Sequence, residues 1–84
     1  MTTARTFLVE AYAPASSDLG DLNDRANVAA ASHRGAGAIT HLRTILVPED
    51  EICLHLFEAA SAASVAEAIR RAELRAQRIV EVLT

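Results

Sequence analysis

Ile39-Thr40-His41-Leu42-Arg43-Thr44-Ile45-Leu46-Val47-Pro48-Glu49-Asp50-Glu51-Ile52-Cys53-Leu54-His55-Leu56-Phe57-Glu58 decides how this chain folds. Two runs rich in branched and aliphatic residues flank a proline and three acids, the pattern of two strands and a turn. Side chains alternate across a strand, so each run has two faces. In the first run one face holds Leu42, Thr44 and Leu46. The other holds Ile39, His41, Arg43, Ile45 and Val47. In the second run Ile52, Leu54 and Leu56 oppose Cys53, His55 and Phe57. Joining the two cleanly aliphatic sets in one buried layer requires an odd-length loop around Glu49, because a two-residue turn would mix them.

The flanking sequence supplies the partners of this hairpin. Phe7 to Tyr12 reads as a strand ended by Pro14, with Phe7, Val9 and Ala11 on one face and Leu8, Glu10 and Tyr12 on the other. Ser16, Ser17 and Asp18 offer N-caps to a helix in which Leu19, Leu22, Ala26, Ala29 and Ala30 recur at three- and four-residue steps. Asp21 and Asp24 suit its positive end, and Arg34 and Gly35 mark its C-terminus. Gly35-Ala36-Gly37 breaks it. After the hairpin, Ser61 and Ser64 compete for an N-cap, and Ser64-Val65-Ala66-Glu67 fits a capping box. The second helix continues through Ala68, Ile69 and Ala72. Glu73 to Arg78 is ambiguous, and Ile79 to Leu83 is a fourth strand.

The order β-α-β-β-α-β predicts an α+β, ferredoxin-like domain over residues 1–84. Four antiparallel strands in the order 4-1-3-2 carry both helices on one face. With the aliphatic sets beneath the helices, the helix-free face would gather Glu10, Tyr12, His41, Arg43, Cys53 and His55, with Leu8, Ile45 and Phe57 around them. Such a face is too apolar to stay wet and too polar for an ordinary core. A face-to-face homodimer would cover it, and buried polar groups there would need partners, water or a ligand.

His41, His55, Glu10 and Cys53 are ligand types for a divalent transition metal, since imidazole suits nickel, zinc and copper and carboxylate or thiolate completes a set. None stands in a local metal signature, so this grouping depends on strand register. Tyr12, Arg43 and Phe57 would line the same pocket. A plainer reading pairs Glu10 with Arg43 at an interface and treats Cys53 as a small buried hydrophobe. His33 suits a helix C-terminus, and Arg70, Arg71, Arg75 and Arg78 form a solvated face with Glu67 pairing to Arg71. Nucleophile–base pairs and phosphate-binding glycine loops are not evident.

Composition narrows the classes further. The 84 residues carry eight arginines, no lysine and 11 acids, a net charge of −3. This balance argues against nucleic acid or an anionic membrane as the main partner, and no aromatic residues accompany the arginines to stack bases. One cysteine excludes an intrachain disulfide. No signal-peptide pattern or apolar run of membrane length is present, so a cytoplasmic location is expected.

Three segments carry a family resemblance: Leu8-Val9-Glu10, Pro48 to Ala59, and Arg71-Ala72 with Leu74 followed by Arg78-Ile79-Val80-Glu81-Val82. Together they resemble a family of small ferredoxin-like domains of unknown function, some known as nickel-binding proteins, of the dimeric α/β-barrel type. The resemblance implies a homodimer and Ni²⁺ or another divalent metal as cofactor. Glu10 and Cys53 match the family's glutamate and cysteine, and His55 follows two residues on. The leading expectation is therefore a small homodimeric metal-binding protein. The alternatives are a cofactor-independent small-molecule enzyme of the same architecture, with His41, His55 or Tyr12 as acid or base, and an unliganded interaction module.

Overall fold

The computed structural model describes residues 4–33 and 37–84. Its elements run β1 (Arg5–Tyr12), α1 (Leu19–Ala31), β2 (Thr40–Val47), a 3-10 turn (Pro48–Asp50), β3 (Ile52–Ala59), α2 (Ala62–Arg71) and β4 (Ala76–Val82). The sheet order is β2-β3-β1-β4 and every pairing is antiparallel. This is the expected α+β, ferredoxin-like βαββαβ arrangement.

Local chemistry explains the helices. The Asp18 carboxylate accepts the Asp21 amide at 2.9 Å and starts α1, satisfying a donor that has no partner within the helix. Leu22, Ala26, Ala29 and Ala30 form its buried stripe, while Leu19 stays exposed. The helix stops at Ala31, before the predicted end; Arg34, Gly35 and Ala36 lie outside the described residues. For α2 the cap is Ser61, not Ser64, because the Ser61 hydroxyl accepts the Ser64 amide. Glu67 pairs with Arg70 at 2.8 Å, one residue short of the expected Arg71. The ambiguous tail resolves into a turn at Glu73, which has positive φ, and a last strand that begins at Ala76.

The sheet corrects the assignment of faces. Phe7, Val9 and Ala11 are buried, as their alternation predicts, but on β3 the buried set is Cys53, His55, Phe57 and Ala59. Ile52, Leu54 and Leu56 face the other way and are only half-buried. The hairpin loop explains the inversion. Val47 pairs with Ile52, so the loop is the four residues Pro48 to Glu51, an even number, closed by Glu51 in the left-handed conformation (φ 52°). A register shift between His41 and Arg43 then changes the phase of β2. Such a bulge adds one residue to one strand. Ile39 and His41 therefore share the covered side with Thr44 and Leu46, and Arg43, Ile45 and Val47 share the open side.

Paired residues give each face its rows. Under the helices, His41, Phe57, Phe7 and Glu81 make one row, and Thr44, His55, Val9 and Ile79 the next. On the open side the corresponding rows are Arg43, Leu56, Leu8 and Val80, then Ile45, Leu54, Glu10 and Arg78. The main core packs Phe7, Val9 and Phe57 against Ala26, Ala30, Val65 and Ile69. Alanines bring the helices close to the sheet, which suits small residues such as Cys53 and Ala59 beside flat rings.

Candidate functional site

A polar chain runs beneath the helices where an apolar layer was expected. His41 Nε2 lies 2.8 Å from Thr44 Oγ1, and Thr44 Oγ1 lies 2.8 Å from His55 Nδ1. Cys53 Sγ lies 3.4 Å from Nε2 and 4.0 Å from Nδ1 of His55, against the face of the same ring. Strand geometry produces the chain. Thr44 and His55 are directly paired across β2 and β3, and Cys53 precedes His55 by two residues on the same face. The bulge turns His41 onto this side, where its ring packs 5.4 Å from Phe57 and 6.2 Å from His55.

Burial sets the protonation of these groups. His55 has no exposed surface, and desolvation, aided by the charges of His41 and Arg25, lowers its pKa from 6.5 to about 4. It is a neutral imidazole near pH 7, and the Thr44 hydroxyl gives its Nδ1 a partner in this water-poor site. Desolvation also lowers His41, against a hydrogen bond to the backbone of Arg43 that raises it. Burial pushes the Cys53 thiol up. Cys53 and His55 thus form a neutral thiol–imidazole pair rather than a thiolate–imidazolium pair.

Cys53 and His55 contribute to the wall of a cavity of about 430 Å³. Its other walls come from the end of β1 and the following loop, the first two turns of α1, and the α2–β4 loop. The buried members Ala11, Ala13, Leu22 and Leu74 make its interior apolar, while the exposed Asp18, Asp21, Arg25, Glu73 and Arg75 charge its mouth. The volume falls within the usual range for a small organic ligand.

The predicted site residues divide between the two faces. His41, Cys53, His55 and Phe57 are under the helices, whereas Glu10, Tyr12 and Arg43 belong to the open side; the end of β1 also brings Tyr12 to the cavity. The cross-strand neighbour of Glu10 is Arg78, and Arg43 stands two strands away, so the expected Glu10–Arg43 neighbours are not adjacent. Of the four predicted metal donors, His41, Cys53 and His55 lie on one face of the sheet and Glu10 on the other. Thr44 separates His41 from His55, and no group of three His, Cys, Asp or Glu side chains able to hold a metal occurs among the described residues.

Sequence reading missed Thr44 as a chemical group and missed the whole cavity mouth. A single hydroxyl residue between Leu42 and Leu46 was the available sign for Thr44. Asp18, Asp21, Arg25, Glu73 and Arg75 carry no motif, and only the topology brings their two loops to one end of the sheet. No described helix is long and apolar enough to cross a membrane. Compared with family models, curated proteins and solved structures, the chain matches none.

Proposed function

We propose that this chain is a homodimeric small-molecule-binding domain whose ligand enters the cavity beside α1, with His55 buried behind its wall. The observation that carries this reading is a cavity of about 430 Å³ with mixed apolar and charged walls, backed by a neutral, hydrogen-bonded imidazole. Its low basicity favours binding over general-base catalysis, which works best with a group whose pKa is near the working pH. The open sheet face supports the dimer. Leu8, Leu54, Leu56 and Val80 form a half-buried apolar patch across three strands, with Glu10 and Arg78 in the same row as Leu54. A two-fold axis can bring such a patch onto itself and place unlike charges opposite one another.

Fragment binding followed by amide NMR tests the ligand site. Small apolar fragments with one polar group are expected to shift Ala13, Ser17, Leu22 and Leu74, and Ser17→Trp, at the cavity wall, is expected to abolish those shifts. A set of such fragments that leaves these amides unmoved at millimolar concentration would refute the reading. Calorimetric titration with Ni²⁺ and Zn²⁺ is the second arm. Micromolar binding that disappears in His55→Ala would favour the metal-binding alternative in place of an organic ligand.

A further inference from the structure

One wall of the cavity is the loop between β1 and α1, and the bonds that hold this loop converge on a residue of the β2–β3 hairpin. β1 and β3 make their last pair at Tyr12 and Ile52. Beyond it, the Ala13 amide donates to the Glu51 carbonyl at 2.9 Å. Pro14 has no N–H to give. The next amide, Ala15, donates to Oε2 of the Glu51 side chain at 3.3 Å. The Ser17 amide turns back to the Pro14 carbonyl at 2.8 Å, and Asp18 caps α1. Ala13, Pro14, Ser17 and Asp18 line the cavity, and Glu51 is not part of its lining.

The backbone of Glu51 points the same way. Its φ of 52° is left-handed, a conformation that strains a residue with a Cβ and does not strain glycine. Glycine would close the same turn and keep the carbonyl bond to Ala13, but it has no carboxylate for Ala15. Strain of this kind persists where the surrounding structure holds it, and here the bond to Ala15 gives it a use. Across the mouth, the α2–β4 loop is tied to the same end of β1 by main chain, from the Tyr12 amide to the Arg75 carbonyl at 3.1 Å. The β1–α1 loop has a side chain in its tie, which a substitution can cut without touching the main chain.

We propose that Glu51 is a positioning residue for the cavity: from the hairpin tip its carboxylate fastens the β1–α1 loop and holds that wall in its ligand-receiving shape. A ligand entering beside a loose loop has to order it first, and that cost lowers affinity. This inference rests on the small-molecule reading for its effect on a ligand, but not for the tie between hairpin and loop.

Glu51→Gly and Glu51→Gln test the two halves separately. Glycine removes the carboxylate and the backbone strain together, so the chain is expected to fold, and glutamine keeps an acceptor oxygen at the same reach. Amide exchange with water, read by NMR, is expected to rise about fivefold at Ala15 in the glycine variant, the worth of a modest net hydrogen bond. It is expected to stay unchanged at Ala13, whose bond goes to the main chain, and to return to the wild-type rate at Ala15 in the glutamine variant. Equal rates at Ala15 in wild type and glycine variant overturn the tie, and a parallel rise at Ala13 overturns the side-chain role in favour of a general loosening of the turn. Should the glycine variant not fold, Glu51→Asp, one methylene shorter, cuts the same bond and is read in the same way. Titration with indole, an apolar fragment with one N–H, reads the effect on the cavity from the amides of Leu22 and Leu74 on its other walls. Affinity is expected to fall about threefold in the glycine variant and to recover in the glutamine variant; equal affinity in all three chains overturns the positioning role. Indole that moves neither amide in the wild type overturns the ligand half together with the small-molecule reading, while exchange at Ala15 still decides the tie.

Discussion

The two faces of one sheet solve opposite problems. The covered face buries two aromatic rings, an imidazole, a hydroxyl and a thiol. The open face leaves Leu8, Leu54, Leu56 and Val80 only half-buried. By hydropathy alone the assignment would be reversed. The comparison teaches that partners decide which polar groups can be buried. His55 can be sealed because Thr44 bonds its Nδ1 and the Cys53 sulfur packs against the ring, and an imidazole without such neighbours would cost more than the aliphatic alternative returns. The aliphatic side chains of the open face need no specific partner, only cover, which a second copy of the chain would supply.

The sharpest contrast is between adjacent residues of β3. Phe57→Ala removes a ring that is 1% exposed and is expected to lower unfolding free energy by about 3–5 kcal/mol in urea titration. A loss below about 1 kcal/mol would mean that the covered face is not the core.

The acid response comes next. The pKa of His55 is about 4 in the folded chain and 6.5 in the ordinary state. Between these values the unfolded chain binds the proton that the folded chain refuses, so stability falls as pH drops from about 6.5 to about 4 and changes no further on this account below that. The size is about 3 kcal/mol, and the lowered pKa of His41 acts in the same direction. Equilibrium unfolding at pH 7.5, 5.5 and 4 measures it. Equal stability at all three pH values would place His55 in water.

The smallest effect on the protomer's own fold is expected on the open face. Leu56→Glu should cost the protomer less than about 1 kcal/mol and leave its circular dichroism unchanged, while weakening self-association at least tenfold by analytical ultracentrifugation. Unchanged association would remove the open face from the dimer interface.

Much of the architecture was legible in the residues. Phe7, Val9 and Ala11 alternate against Leu8, Glu10 and Tyr12, and their burial follows that pattern. Leu22, Ala26, Ala29 and Ala30 mark the buried stripe of α1 in the same way. Both faces of β3 are apolar enough to be core, so its alternation names two sets without ranking them. The register depends on two local events: the left-handed Glu51 in a four-residue loop and the bulge beside Leu42. Neither residue is a glycine, the usual sign of such geometry, so the sequence offered no warning of them. Among the candidate site residues, His41, Cys53 and His55 do gather, but Glu10 is separated from them by the sheet itself.

Element order, helix faces and the four-stranded antiparallel sheet follow from the amino-acid sequence, because periodicity and capping act over a few neighbouring residues. The orientation of β3, the Thr44 link between two histidines and the cavity beside α1 were decided only in the tertiary structure. Each depends on the register between strands or on loops distant in sequence, and a register shift of one residue exchanges the two faces of a strand while leaving its local pattern intact.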